Sequence, residues 1–308
     1  MTSDHPLDPG PEPEGDTVRA SDGVEYHVIS LGEAHTDTVP AVFLHGGGPG
    51  CSAWTDFGAV APMFAADRTC HLVDLVQYGK SAKPAIVGPR WSWLAASMVS
   101  LWDELGLTQP IDVVCNSWGG TIAIALASKY PDRVRSMVIT GSMPVFYGPL
   151  SPLPEGARRG RNARDAYFGG DGPSLDKMRH LIADLEWYDG DLIPEATVRR
   201  RYEQSLDRDE IQLAAHSDDL RGEWQDLEDN LKSIQCPTLF AWGMHDAFLT
   251  PDYPLMLARM VPRGQLYVMD RVSHHLQEER PVDYHAVVSA FLFSEQTPVV
   301  LGSDGREG

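Results

Sequence analysis

The chain has 308 residues, a formal charge of −19 and 43% hydrophobic residues, which suffices to bury the core of one large α/β domain or of a domain carrying an insertion. So acidic a chain is a poor partner for nucleic acid or an anionic membrane, because phosphate-rich surfaces select basic faces. No apolar stretch approaches the roughly 20 residues that span a bilayer.

Positions 1–16 are acidic and proline-rich, not basic and then apolar as a secretory signal would be, and together with 294–308 they read as mobile tails. Short apolar runs at 24–30, 39–44, 70–75, 111–115, 136–140, 237–242 and 265–269 predict strands, with helices at 93–105, 119–129 and 282–293. Continuous apolar strands separated by helices predict an α/β fold with a mostly parallel sheet covered on both faces. The alternation breaks between 146 and 226, where amphipathic helices are expected at 155–167, 174–185, 195–206 and around 213–224. Placed between two strands, that block predicts a helical cap over the carboxyl edge of a core formed by 17–145 and 227–293. Four scattered cysteines, Cys51, Cys70, Cys115 and Cys236, lack a C-x-x-C or a histidine cluster. They predict reduced core thiols in a cytoplasmic protein, with no metal site.

The strand at 111–115 runs into Asn116-Ser117-Trp118-Gly119-Gly120. A serine becomes nucleophilic when a base is near and its hydroxyl is held clear of the backbone, and a sharp strand-to-helix turn supplies the second condition. Gly119 meets the demand for small shoulders, and Cys115 stands where the G-x-S-x-G pattern has glycine. Asp246 follows the strand at 237–242 and His274 the strand at 265–269, so Ser117, Asp246 and His274 occur in the chain order that an α/β-hydrolase arrangement requires. His275 is the rival base and Asp270 the rival acid. The glycine run from His45 to Gly50 lets main-chain amides face a developing oxyanion. The N–H groups of Gly47 and Trp118 are the expected pair; a phosphate loop is disfavoured because the run lacks a Gly-Lys-Ser/Thr ending. Arg158, Arg159, Arg161 and Arg164 stand against the acidic background either as a solvated helix face or as an attractor for an anionic substrate.

These residues resemble the meta-cleavage product hydrolases, a branch of the α/β-hydrolase superfamily that splits carbon–carbon bonds in ring-opened aromatic or steroid catabolites. The resemblance covers roughly 24–293 and includes His-Gly-Gly-Gly-Pro-Gly, Asn-Ser-x-Gly-Gly, Gly-Lys-Ser at 79–81, Pro-Asp-Arg-Val at 131–134, Pro-Leu-Pro-Glu-Gly at 152–156 and Arg-Tyr-Glu at 201–203. It implies an eight-stranded sheet, no cofactor, an anionic small-molecule substrate of the 2-hydroxy-6-oxo-hexa-2,4-dienoate type, and a homodimer or higher homo-oligomer. It implies a substrate site with Asn116, Asp56, Gly48, Arg201 and His275 around it, Arg201 holding the substrate carboxylate or dienolate oxygen. The chain departs from the family in three places. Asp56 replaces a common asparagine, Ser273-His274-His275 replaces Gly-His-Trp, and Trp118 is similar to the Ser-Trp-Gly-Gly elbow of proline iminopeptidases. Ester, lactone or N-terminal proline amide hydrolysis is therefore the competing chemistry, with Glu186 or Glu203 available to pair a free amine. A ligand-binding or cofactor-free oxygen-handling role on the same scaffold is the third reading.

Overall fold

The apolar runs assemble side by side in a computed structural model that describes residues 6–35, 37–148, 153–215 and 220–294, without the side chains of 153–157 and 214–215. Strands β1 (Asp16–Arg19), β2 (Glu25–Leu31), β3 (Ala41–Leu44), β4 (Cys70–Val73), β6 (Ile111–Asn116), β7 (Val134–Thr140), β9 (Thr238–Gly243) and β10 (Gly264–Met269) form one eight-stranded sheet. Its order is β1-β2-β4-β3-β6-β7-β9-β10, antiparallel at the β1-β2 and β2-β4 pairings and parallel from β4 onward.

The central strands are apolar throughout because both faces are covered. Successive side chains point to opposite faces: Val42, Leu44, Val113, Cys115 and Ile139 pack with helices Arg90–Glu104 and Trp118–Lys129. Ala41, Phe43, Val114 and Val138 pack with helices Ala53–Phe57 and Pro281–Ser294. The four cysteines are free and buried, as expected of core thiols. Helices Leu153–Phe168, Leu175–Leu185 and Glu195–Ser205 lie between β7 and β9, with a small core of their own around Met178, Ile182, Trp187 and Val198.

Two expectations need correction. The stretch at 213–224 is not one helix throughout: helix Arg208–Ala215 covers its first residues, but Arg221–Glu223 is a strand, β8, that pairs in parallel with β5 (Ile86–Pro89). Three residues are too few for a period-2 pattern to declare itself. Within the expected N-terminal tail, Asp16 opens β1, and the Gly10 carbonyl accepts from Trp54 Nε1 at 3.3 Å and from Arg200 at 2.6 Å, with Glu12 paired to Lys80 at 2.7 Å. The segment thus bridges core and cap. Of 294–308 only Ser294 is described, and the 152 end of the Pro-Leu-Pro-Glu-Gly motif also lies outside the described residues.

Candidate active site

β6 delivers its last side chain into the turn that precedes helix Trp118–Lys129, and the chain reverses at Ser117 with φ 48° and ψ −110°. A left-handed conformation is costly for a non-glycine residue and persists only where the surroundings impose it. Here they do: the Ser117 amide donates to Thr140 O at 2.7 Å, and the Ser142 hydroxyl donates to Ser117 O at 2.7 Å. A side chain at Gly119 would run into the Leu44 backbone, which explains the small residue on that side. Cys115, on the other side, sits fully buried in the sheet core, where a small apolar thiol fits.

The loops after β9 and β10 bring the partners together. His274 Nδ1 lies 2.9 Å from Asp246 Oδ2, and both side chains are buried. Asp246 Oδ1 also accepts from the amides of Phe248 and Leu249, at 2.8 and 3.0 Å, which fixes the carboxylate. A carboxylate only accepts, so Nδ1 carries the proton and Nε2 is left as the base. A Cβ on Gly141 would collide with the His274 ring, so that glycine makes room for it. Ser117 and His274 line the same cavity. Their hydroxyl and ring are not hydrogen-bonded to each other in the described structure; such contacts often tighten only when substrate binds. Asp270, the rival acid, is exposed and faces His245 at 3.4 Å instead.

The glycine loop after β3 is held by a buried histidine. Leu75 N–H donates to His45 Nε2 at 2.9 Å, so Nδ1 bears hydrogen and donates to Gly46 O at 2.6 Å. In a trans peptide the N–H opposes the carbonyl, so this bond aims the Gly47 N–H away from His45. The Gly46 amide is used up by Asp56 Oδ2 at 2.7 Å. The Gly47 amide donates to no group among the described residues, and Trp118, opening its helix, has no carbonyl a turn back. Both residues line the cavity. A Cβ on Gly47 would lie 2.8 Å from the Trp118 ring, so only glycine fits against that indole.

The cavity measures about 650 Å³, and cap residues Arg161, Arg164, Leu181, Leu185 and Glu186 roof it. The residues expected around the substrate divide. Gly48 and His275 line it. Arg201 does not: it is fully buried, donates Nε to Pro49 O at 2.9 Å, and forks both carboxylate oxygens of Glu186 at 2.8 and 3.0 Å. Asp56 and Asn116 lie beneath the glycine loop, not in the cavity, with Asn116 Nδ2 donating to Asp56 Oδ2 at 3.3 Å. Burial works to raise the Asp56 carboxyl, but His275, His45, Arg201 and the Gly46 amide outweigh it and hold it below the usual carboxylate range. Its charge thus orders the loop and does not meet the ligand.

His275 is hydrogen-bonded through Nδ1 to Glu278. Burial would lower its pKa, yet Glu186 and Glu278 push it up to about 9. Asp56, His275 and Glu278 place potential ligand atoms within 4.8 Å of one another. A protonated imidazole has no lone pair for a metal, and the Asp56 oxygen already serves a backbone amide, so this donor set fits a hydrogen-bonded network better than an ion.

Sequence reading missed the opposite wall. Trp118, Trp91 and Trp224 pack edge-to-face at 5.1–6.5 Å between centroids. Arg90 lies over all three rings, and Arg221 lies over Tyr78 at 5.1 Å and Trp118 at 5.3 Å. Of the arginine group on the first cap helix, Arg161 and Arg164 line the cavity while Arg159 bonds Ala247 O at 2.8 Å. Of the cap aromatics, Phe146 joins this wall, stacked on Trp224, while Trp187 belongs to the cap core.

The sequence matches the alpha/beta hydrolase fold family over residues 40–281. Similar proteins include the 2-hydroxymuconate semialdehyde hydrolase of Pseudomonas sp. strain CF600, 31% identical over 82% of this chain and 86% of that protein. The 2-hydroxy-6-oxo-2,4-heptadienoate hydrolase of Pseudomonas putida is 29% identical over 89% of this chain and 94% of its own length. In fold, the chain is similar to the meta-cleavage product hydrolase CumD of Pseudomonas fluorescens IP01, with TM-score 0.74 and 24% identity over 91% of this chain and 98% of that one. The chain belongs to the α/β-hydrolase family and, within it, to the meta-cleavage product hydrolases.

Proposed function

We propose that this protein hydrolyses the C5–C6 bond of a 2-hydroxy-6-oxo-hexa-2,4-dienoate-type acid, with Ser117 as nucleophile, His274 as general base and acid, Asp246 orienting the ring, and the Gly47 and Trp118 amides receiving the oxyanion. The observation that carries this is the meeting of Ser117 and the Asp246-held His274 in one roofed cavity with two free amide donors. Kinship over most of the chain with hydrolases of such acids supports it.

Carbon–carbon cleavage is feasible in such a substrate because the electron pair released at C5 passes through the conjugated system to the oxygen on C2. His274 first assists transfer of the C2 hydroxyl proton to C5, giving the diketone. Ser117 Oγ then attacks C6 while its proton passes to Nε2. The two amides stabilise the oxyanion, each worth on the order of 3 kcal/mol in sites of this kind. The C5–C6 bond breaks as the dienolate leaves and takes the proton held on Nε2; His274, neutral again, then deprotonates the water that releases the acyl group from Ser117. The ligand is thus an anionic small molecule and, with four buried thiols, the setting is the cytoplasm.

The proline-amide alternative loses its support at the amine site. Glu203 is exposed and away from the cavity, and Glu186 is already neutralised by Arg201. The test is the visible absorbance of dienolate substrates: wild type bleaches it, and Ser117→Ala lowers kcat by about 10⁴-fold or more. Unchanged dienolate bands alongside Ser117-dependent hydrolysis of p-nitrophenyl acetate would assign the site to esters.

A further inference from the structure

We infer that Arg164 and Arg221 together form the carboxylate-binding subsite of this cavity, at the end walled by Trp118 and Trp224, in place of Arg201. The inference deepens the hydrolase reading and rests on it only for the identity of the bond broken.

Both arginines line the cavity that contains Ser117. Neither forms an ion pair with a carboxylate among the described residues, whereas Arg201 is fully matched by Glu186 and Pro49. Arg221 is 3% exposed, donates one nitrogen to the Tyr78 hydroxyl and leaves its buried Nε without a partner. Arg164 donates to Gly47 O at 2.9 Å, and Tyr78 donates to the same oxygen at 3.1 Å, so the pair is anchored to the residue whose amide faces the reacting carbonyl. Two guanidiniums side by side repel. Burial, and then the neighbouring Arg221, lower the pKa of Arg164.

The carboxyl that acts on both, Glu210, is bonded to the Gly50 amide at 2.8 Å and forms an ion pair with neither arginine among the described residues. Keeping two cations together without a counter-charge is expensive unless a ligand supplies one. A carboxylate is the anion that matches: planar, with two oxygens, each able to take a guanidinium N–H. Aromatic faces under Arg221 hold its plane without consuming its donors. The carboxylate has two possible sources, the C1 acid of the dienoate or a second acid on the acyl side of the ketone.

The experiment compares wild type with Arg164→Gln and Arg221→Gln on three substrates. These are 2-hydroxy-6-oxohepta-2,4-dienoate with one carboxylate, 2-hydroxy-6-oxonona-2,4-diene-1,9-dioate with two, and neutral p-nitrophenyl acetate. The preference for acid over ester, as a ratio of kcat/KM values, is expected to fall about 10- to 100-fold in each variant, mainly through KM. Loss confined to the dioate identifies the acyl-side acid; equal loss on both acids identifies C1. Arg221→Lys is expected to restore part of the preference. Should Arg221→Gln fold poorly by its melting curve, Arg164→Gln, at a position less buried than Arg221, carries the comparison.

If wild type bleaches neither acid, the hydrolase reading falls, and the subsite is judged by glutarate inhibition of ester hydrolysis. Inhibition at least about 10-fold weaker in the variants, with dimethyl glutarate inert on wild type, sustains it. An unchanged acid preference in both variants, or unchanged glutarate inhibition, overturns it.

Discussion

The two ends of the cavity hold the same kinds of side chain in opposite states. At the His275 end, Arg201, behind the lining, is forked onto Glu186, and Asp56, Glu278 and His275 complete a buried network of opposite charges. At the Trp118 end, Arg164 and Arg221 sit together with hydroxyl, carbonyl and aromatic neighbours but, among the described residues, no paired carboxylate. The contrast teaches that an arginine's charge is available to a ligand only where the fold has not already neutralised it. The first end supports the glycine loop, and the second is the proposed receptor.

Arg201→Met is expected to have the largest effect. It strands Glu186 in the interior, and losing one partner of a buried pair costs about 3–5 kcal/mol. The expected outcome is a large fall in thermal and urea stability, with KM for the acids changed far less than in Arg221→Gln. A rise in KM at unchanged stability would instead return Arg201 to the substrate.

A second test uses pH. His275 is raised to about 9 by Glu186 and Glu278 against the opposing effect of burial. A folded-state pKa above the unfolded value of about 6.5 means that the stabilisation is fully present below pH 6.5 and is lost as pH rises through 9, on the order of 3 kcal/mol in all. Glu279, raised by burial to about 7, loses stability earlier, between about 4.5 and 7, so the His275 contribution is read above pH 7. Melting temperatures from pH 7 to 9.5 should decline in wild type, and the decline should largely vanish in His275→Gln. Equal slopes in the two proteins would mean that this end does not depend on a charged imidazole.

The smallest effect is expected at Tyr78→Phe. The hydroxyl donates to Gly47 O and accepts from Arg221, so its loss frees one arginine donor and loosens the glycine loop by about 1 kcal/mol. A KM for the acids raised about 5-fold, with kcat reduced little, fits that role; no change would detach Arg221 from its proposed anchor.

How much of this was legible in the sequence varies with the kind of signal. Ser117, Asp246 and His274 each follow an apolar strand, and strand ends in a parallel sheet converge on one edge, so local pattern sufficed to bring them together. Seven predicted strands reappear with ends shifted by one or two residues. Arg201, Asp56 and Asn116 stand at positions where the resemblance expects substrate contacts, but direction depends on partners that pattern does not reveal. Glu186 lies 15 positions from Arg201, and Asp56 lies 60 from Asn116. Arg90, Arg221 and Trp224 were missed because β5 and β8 are too short to show a period, and their pairing, with the Gln77 amide donating to Leu220 O, sets Arg221 beside Tyr78. Arg164 carried the one usable hint, a basic group on an otherwise acidic chain.

The most direct test of the account is a crystal structure of Ser117→Ala with an uncleaved dienoate bound. The ketone oxygen is expected within about 3 Å of the Gly47 and Trp118 amides, and a carboxylate within hydrogen-bond distance, about 3 Å, of both Arg164 and Arg221. A substrate carboxylate seated on Arg201, with Glu186 displaced, or a ketone turned away from residue 117, would contradict it.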